Sequence, residues 1–344
     1  MQAIVTRRSI LAGGTGALLA GCMGSHGNRQ AQALNPIGFE RFTPDFDARI
    51  DTSQAGRLLA SGYQWAEGPA WDARRQTLYF TDVPANRAYR WSETGGASVF
   101  LDPSGAQEAA EGFREPGANG LLLSRDGRLT ICNHGERAVQ AMDLTTGRRE
   151  TLASRFEGKR FNSPNDVIEA ADGTLFFTDP PYGLAGLDAS PLKEMAANGV
   201  YRLSPDGTLS RIVEDMTFPN GVALSLDEKA LFISQSDPSA SIVRKLDLRA
   251  GARPHTWFDA TPYRQGHAGL PDGMAMAANG DLFLAGPGGV LVIDREGVCH
   301  GRIATGRATA NCAFGEDGHT LFITAQDRLL AVRTKVSASR TASA

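Results

Sequence analysis

The chain has 344 residues, a formal net charge of -3 and 42% hydrophobic residues, enough apolar material to bury a sizeable core. The near-neutral charge gives no basic footprint for nucleic acid, and no stretch is long and apolar enough to span a bilayer as a mature helix. With 39 Gly and 17 Pro, many short strands separated by turns are expected, not long helices.

The N-terminus reads MQAIVTRRSILAGGTGALLAGC. Arg7 and Arg8 lead into an apolar run, Ile10 to Ala20, that ends in small residues. That order describes a cleavable export signal and argues against a buried N-terminal helix. The arginine pair resembles a twin-arginine signal. Leu19-Ala20-Gly21-Cys22 resembles a bacterial lipoprotein box, with Cys22 as the lipidated residue. Residues 1–22 are therefore expected to be a leader and 23–38 a polar, flexible tether. The mature protein is expected to be periplasmic and to touch the membrane only through its lipid. Cys22→Ala should abolish labelling by a radioactive fatty acid; wild-type protein from its native host that keeps residues 1–21 and carries no lipid would overturn this. Of the remaining thiols, Cys132, Cys299 and Cys312 are odd in number and show no CxxC or Cys/His metal spacing; Cys132 and Cys312, in strand-like apolar contexts, are expected to be buried.

From Glu67 onward one pattern recurs: a polar residue usually followed by Gly, alternating apolar residues, a tight turn, then a run ending in Thr, Ser, Asn or Ala. It appears as EGPAWDARRQTLYFTD from Glu67, NGLLLSRDGRLTICN from Asn119 and NDVIEAADGTLFFTD from Asn165. It returns as NGVALSLDEKALFISQ from Asn220, DGMAMAANGDLFLAG from Asp272 and NCAFGEDGHTLFITA from Asn311. The interval is roughly 40–55 residues. Each copy holds two strands of period-2 alternation, and segments such as RAYRWSE, GVYRLSP and GVLVIDR supply further strands. Four strands per unit and six units predict an all-β, six-bladed propeller over residues 39–336, its four-stranded blades set around a central channel. The last unit is one strand short, and GRLLAS (Gly56–Ser61) is placed to close the ring. A β-sandwich would not need one motif per unit.

In such a ring the six leading residues, Glu67, Asn119, Asn165, Asn220, Asp272 and Asn311, converge on one channel mouth. Asn-Gly and Asp-Gly also make ordinary turns. As a set, two carboxylates and four amides offer oxygen ligands to a hard divalent cation. A cation there could polarise a carbonyl and activate a water, with Asp272 or His134 as the assisting base. No GxSxG nucleophile and no dinucleotide-binding glycine loop is present.

EGPAW, NSPNDVIEAADGTLFFTDPPYG, FPNGVALS and LPDGMAMA together resemble the gluconolactonase/regucalcin (senescence-marker-protein-like) family, over roughly Trp65 to Gln326. SPND…FTDPPYG looks most like its bacterial gluconolactonase branch. The resemblance implies a six-bladed propeller with one divalent cation, calcium first, with zinc, magnesium or manganese as other fits. It implies Glu67, Asn220 and Asp272 as ligands, Asn165 as a further metal or substrate contact, and Asp272 as the residue assisting water. Asn119 and Asn165 would hold sugar hydroxyls. Ser163 stands where the animal branch carries a substrate-contacting arginine, so it is a substrate-side position at which animal-type contacts do not carry over. The implied reaction is hydrolysis of a sugar lactone, such as glucono-1,5-lactone, to the aldonic acid. Two rivals remain: a calcium-dependent phosphotriesterase-like hydrolase, separable by comparing lactone and phosphotriester turnover, and a non-catalytic sugar- or partner-binding propeller.

Overall fold

The computed structural model describes residues 37–108 and 111–339. The expected leader, the lipidation residue Cys22 and residues 23–36 of the expected tether lie outside the described residues. Six sheets follow one another around a channel. Blade 1 comprises Ala66–Asp72, Thr77–Asp82, Arg87–Ser92 and Gly96–Leu101; blade 2 comprises Ala118–Leu123, Leu129–Asn133, Ala138–Met142 and Arg149–Ala153. Blade 3 comprises Val167–Glu169, Leu175–Asp179, Asn198–Leu203 and Leu209–Met216; blade 4 comprises Pro219–Leu224, Ala230–Asp237, Ala240–Asp247 and His255–Asp259. Blade 5 is built from Met274–Met276, Leu282–Gly286, Gly289–Ile293 and Cys299–Ala304, and blade 6 from Asn311–Gly315, Thr320–Ala325 and Arg328–Arg333. Helical structure among the described residues is confined to three short 3-10 turns.

Arg57–Ser61 pairs antiparallel with Arg328–Arg333, so the strand foreseen in GRLLAS completes blade 6 and closes the ring. This strand covers the outer edge of Arg328–Arg333 and ties the start of the propeller to its last blade. Stacking of blade on blade buries both faces of the second strands. Leu175–Asp179 and Leu129–Asn133 are buried at every residue, which is why they read as near-continuous apolar runs. Between blades 2 and 3, Phe161, Phe177 and Tyr201 pack ring against ring at 5.0–5.3 Å. Cys132, Cys299 and Cys312 are buried, unpaired thiols within these interfaces.

Both expected domain ends need correction. Ile37 is buried in the core, and Gly38–Arg41 adds a fifth strand to blade 5 beside Cys299–Ala304, so the last two residues of the expected tether belong to the packed body. At the other end Ala338 bridges Ala277 and the Ser339 N–H donates to the Met276 carbonyl, so the body extends past residue 336.

The Gly that follows four of the six leading residues has a reason other than a turn. A methyl group at Gly120 would lie 2.5 Å from the Asn165 carbonyl oxygen, and one at Gly221 would lie 2.3 Å from that of Asp272. Each inner strand thus approaches the leading residue of the next blade at a distance that excludes a side chain. The hydroxyls that close the apolar runs serve the same contact. Thr81 Oγ1 donates to the Asn119 carbonyl, Thr178 Oγ1 to that of Asn220, and Ser234 Oγ to that of Asp272. The repeat is therefore a device for pinning one blade's leading residue to its neighbour.

Two long connections cover the channel mouth that carries the leading residues. The segment joining blades 1 and 2 meets the loop after Leu175–Asp179: Phe113 bridges Leu184, and the Arg114 and Glu115 N–H groups both donate to the Gly183 carbonyl.

Candidate active site

Five leading residues, Glu67, Asn119, Asn165, Asn220 and Asp272, line one cavity of about 570 Å³. Trp65, Arg114, Glu115, Tyr182, Ser236 and Leu270 complete much of its wall. The sixth, Asn311, does not line it but borders a separate space of about 100 Å³ with Leu121, Val222, Ala275 and Asp166, and its side chain reaches Glu67. Its Oδ1 accepts the Cys312 N–H.

The amides form a directed chain across three blades. Asn119 Nδ2 donates to Asn165 Oδ1 at 2.9 Å, and Asn165 Nδ2 to Asn220 Oδ1 at 2.7 Å. Asn220 Nδ2 donates to Ser236 Oγ at 2.9 Å, and that hydroxyl to the Pro271 carbonyl, next to Asp272. The chain fixes each amide's orientation and leaves a second lone pair on each accepting oxygen.

Burial makes the carboxylates reluctant to ionise together. Glu67 is pushed up to about 8, mainly by burial, with the Asp166 charge adding to it. Asp272 is raised well above the usual carboxylate range by burial and then by the charges of Glu67 and Asp166. Burial brings Asp166 to about 6, although its oxygens accept the Val167 and Val222 N–H groups. A positive charge between Glu67 and Asp272 would relieve this.

The donor set fits a hard cation. Two buried oxygens of the cavity wall, Asp272 Oδ1 and Asn119 Oδ1, have no hydrogen-bond partner, and the Tyr182 hydroxyl makes no bond of good geometry to the Asn220 and Ser236 side chains it faces. Unsatisfied buried oxygens are rare unless an occupant completes them. Among the described residues no three His, Cys, Asp or Glu side chains converge on a metal position. The candidate centre is instead a mixed one, two carboxylates and amide oxygens, the kind preferred by calcium and magnesium and not by softer metals.

Two expected site residues fall behind the wall. His134 is fully buried and does not line the cavity; its Nε2 lies 3.3 Å from Asn119 Nδ2. Burial lowers it to about 3, so it is neutral and has no opening to substrate. Ser163 is also fully buried: its Oγ donates to the Pro180 carbonyl at 2.6 Å and accepts the Gly183 N–H at 2.9 Å. The backbone turn consumes its hydroxyl, so it holds the Pro180–Gly183 loop and not a ligand. Sequence reading missed Glu115, Arg114, Trp65 and Ser236 because they sit between or after the motif positions. Tyr182 belonged to the quoted FTDPPYG but carried no assigned role. Burial raises Glu115, against the Arg114 guanidinium beside it.

Comparison with known proteins places these features in context. Residues 65–327 match the model of the SMP-30/Gluconolactonase/LRE-like region. A gluconolactonase of Zymomonas mobilis is 42% identical over 323 residues, covering 90% of this chain and 91% of the relative. Among solved structures, the gluconolactonase XC5397 of Xanthomonas campestris superposes with a TM-score of 0.74 at 33% identity, covering 86% of this chain and 94% of the other. A calcium-binding protein, regucalcin, of Agrobacterium tumefaciens shares the fold at a TM-score of 0.66 and 18% identity, with 83% and 95% coverage.

Proposed function

The chain belongs to the SMP-30/gluconolactonase/LRE-like family, and we propose that, as a gluconolactonase-like lactone hydrolase, it opens a sugar lactone of the glucono-1,5-lactone kind with the aid of one divalent cation. The observation that carries this reading is the single cavity in which Glu67 and Asp272 face three linked amides while Asp272 Oδ1 stays without a partner. Glu67, Asn220 and Asp272 would hold the cation, with Asn165 completing the set; calcium suits these oxygens best. When bound, the cation polarises the lactone carbonyl and stabilises the charge that grows on its oxygen.

The protein's own residues do the rest. Asp272, through its free oxygen, takes a proton from the water that attacks the carbonyl carbon. The amide chain orients Asn119 and Asn165 towards sugar hydroxyls, at no reorganisation cost when substrate arrives. The zipped loops above, with Arg114 and Glu115, limit water in the cavity. Export and anchoring at Cys22 belong to the same proposal and rest on the Arg7-Arg8 pair and the Leu19–Cys22 box.

The test is proton release during hydrolysis of several aldonolactones, with chelator and across a cation titration, beside a phosphotriester at equal cation loading. Cation-dependent lactone turnover exceeding phosphotriester turnover is expected. Full lactone activity in chelator would remove the cation from the mechanism. No lactone turnover at any loading would leave the binding-propeller reading ahead.

A further inference from the structure

Resting on the lactonase reading above, we propose that Tyr182 is a further catalytic residue, whose hydroxyl gives its proton to the ring oxygen of the lactone as that oxygen leaves. Opening an aldonolactone expels an aliphatic alkoxide, a poor leaving group unless it is protonated as the bond breaks. Asp272 takes the proton of the attacking water, and a separate donor on the leaving-oxygen side lets that bond break without waiting for Asp272 to pass its proton across. Among the neutral donors of the cavity wall, the amides of Asn165 and Asn220 already donate to Asn220 Oδ1 and Ser236 Oγ, and the Ser236 hydroxyl donates to Pro271. The Tyr182 hydroxyl is buried, lines the same cavity as Asp272, faces the Asn220 and Ser236 side chains, and makes no hydrogen bond of good geometry. A phenol keeps its proton at neutral pH and is an O–H donor.

Its position is built, not incidental. The ring stacks on Phe218 at 5.8 Å and 19°. Ser163 ties both ends of the turn that carries it, through the Pro180 carbonyl and the Gly183 N–H. The Gly183 carbonyl is gripped by the N–H groups of Arg114 and Glu115. Gly183 itself has no room for a side chain, since a methyl there would lie 2.8 Å from Cβ of both His134 and Ser163. Phenylalanine would stack on Phe218 equally well without burying a hydroxyl that lacks a well-formed hydrogen bond, so packing alone does not account for a tyrosine.

The step balances. Water adds to the carbonyl carbon and its proton passes to Asp272. The carbon–ring oxygen bond then breaks, its electron pair stays on oxygen, and the Tyr182 proton makes that oxygen an alcohol. The phenolate regains a proton from Asp272, whose charge reaches the phenol. The net reaction is lactone plus water to hydroxy acid.

The experiment compares wild type and Tyr182→Phe on glucono-1,5-lactone and on dihydrocoumarin, an aryl lactone whose phenoxide leaves without needing a proton. The expected result is a kcat loss of about 10²-fold on the sugar lactone and little loss on the aryl lactone. The rise of Tm on adding calcium and the far-UV circular dichroism should match wild type, because neither the ring stack nor a cation ligand changes. Equal losses on both lactones would make Tyr182 a positioning residue and overturn the assignment, as would unchanged turnover of the sugar lactone. Wild type that hydrolyses neither lactone would instead bring down the lactonase reading itself.

Discussion

Asp272→Asn should lower kcat for lactone ring opening by about 10²–10⁴, the range lost when a general base is removed. The substitution keeps the size, the planar shape and one oxygen. It removes the negative charge and the only carboxylate oxygen of the cavity wall that is buried without a partner, Asp272 Oδ1. The backbone at this position should not move, because the Ser234 hydroxyl and the tight approach of Gly221 hold the Asp272 carbonyl from blade 4. Asn119→Ala, by contrast, removes one end of the amide chain and a contact to substrate hydroxyls, so it should act mainly on KM. Initial rates of proton release, measured at saturating cation to separate the base role from weakened cation binding, check this. An Asp272→Asn enzyme as fast as wild type under those conditions would eliminate Asp272 as the base.

Without a cation, the protein should lose stability as pH rises from about 5 to 8.5, and Glu67→Gln should flatten that loss. The sign follows from the direction of the shifts. Glu67 is raised to about 8 and Asp272 is raised well above its usual value, so the folded state binds protons more tightly than the unfolded chain at both positions. Their contribution is fully present below the unfolded value of about 4.3 and is lost as pH climbs through the folded value. Asp166 and Glu115, the other carboxylates whose charges act on this pair, add to the effect. A bound cation replaces the protons, so calcium should raise Tm more at pH 8 than at pH 5.5. Glu67→Gln keeps an oxygen but weakens cation affinity, and excess calcium should restore part of the activity. Thermal melts across pH, with and without chelator, read the outcome. A flat or rising pH profile for the cation-free protein would contradict the buried, mutually repelling pair.

Much of this architecture was legible along the chain. Period-2 alternation is a local property, and its recurrence six times, each copy led by Glu, Asn or Asp, was sufficient to predict the blades, the closing strand at Arg57–Ser61 and the convergence of Glu67, Asn119, Asn165, Asn220 and Asp272. The Gly that follows most of them looked like turn chemistry; only the packing of neighbouring inner strands reveals that it makes room for the next blade's backbone.

What the tertiary structure alone decided lies in the connections between repeats. His134 was expected as an assisting base and Ser163 as a substrate-side position, yet both are fully buried, His134 beside Asn119 and Ser163 within the Pro180–Gly183 turn. The loops over the channel mouth join residues 112–115 to residues 183–185, a pairing with no periodic signal to announce it, and they bring Glu115 and Tyr182 into the cavity wall. The fifth strand at Gly38–Arg41 is of the same kind: it pairs with Cys299–Ala304, far away in the chain, so no repeat announced it and the expected tether ran into its first residue. Repeating local patterns carry their own structure in the sequence, whereas a residue whose environment is made by a single long-range contact acquires its role only when the chain closes around it.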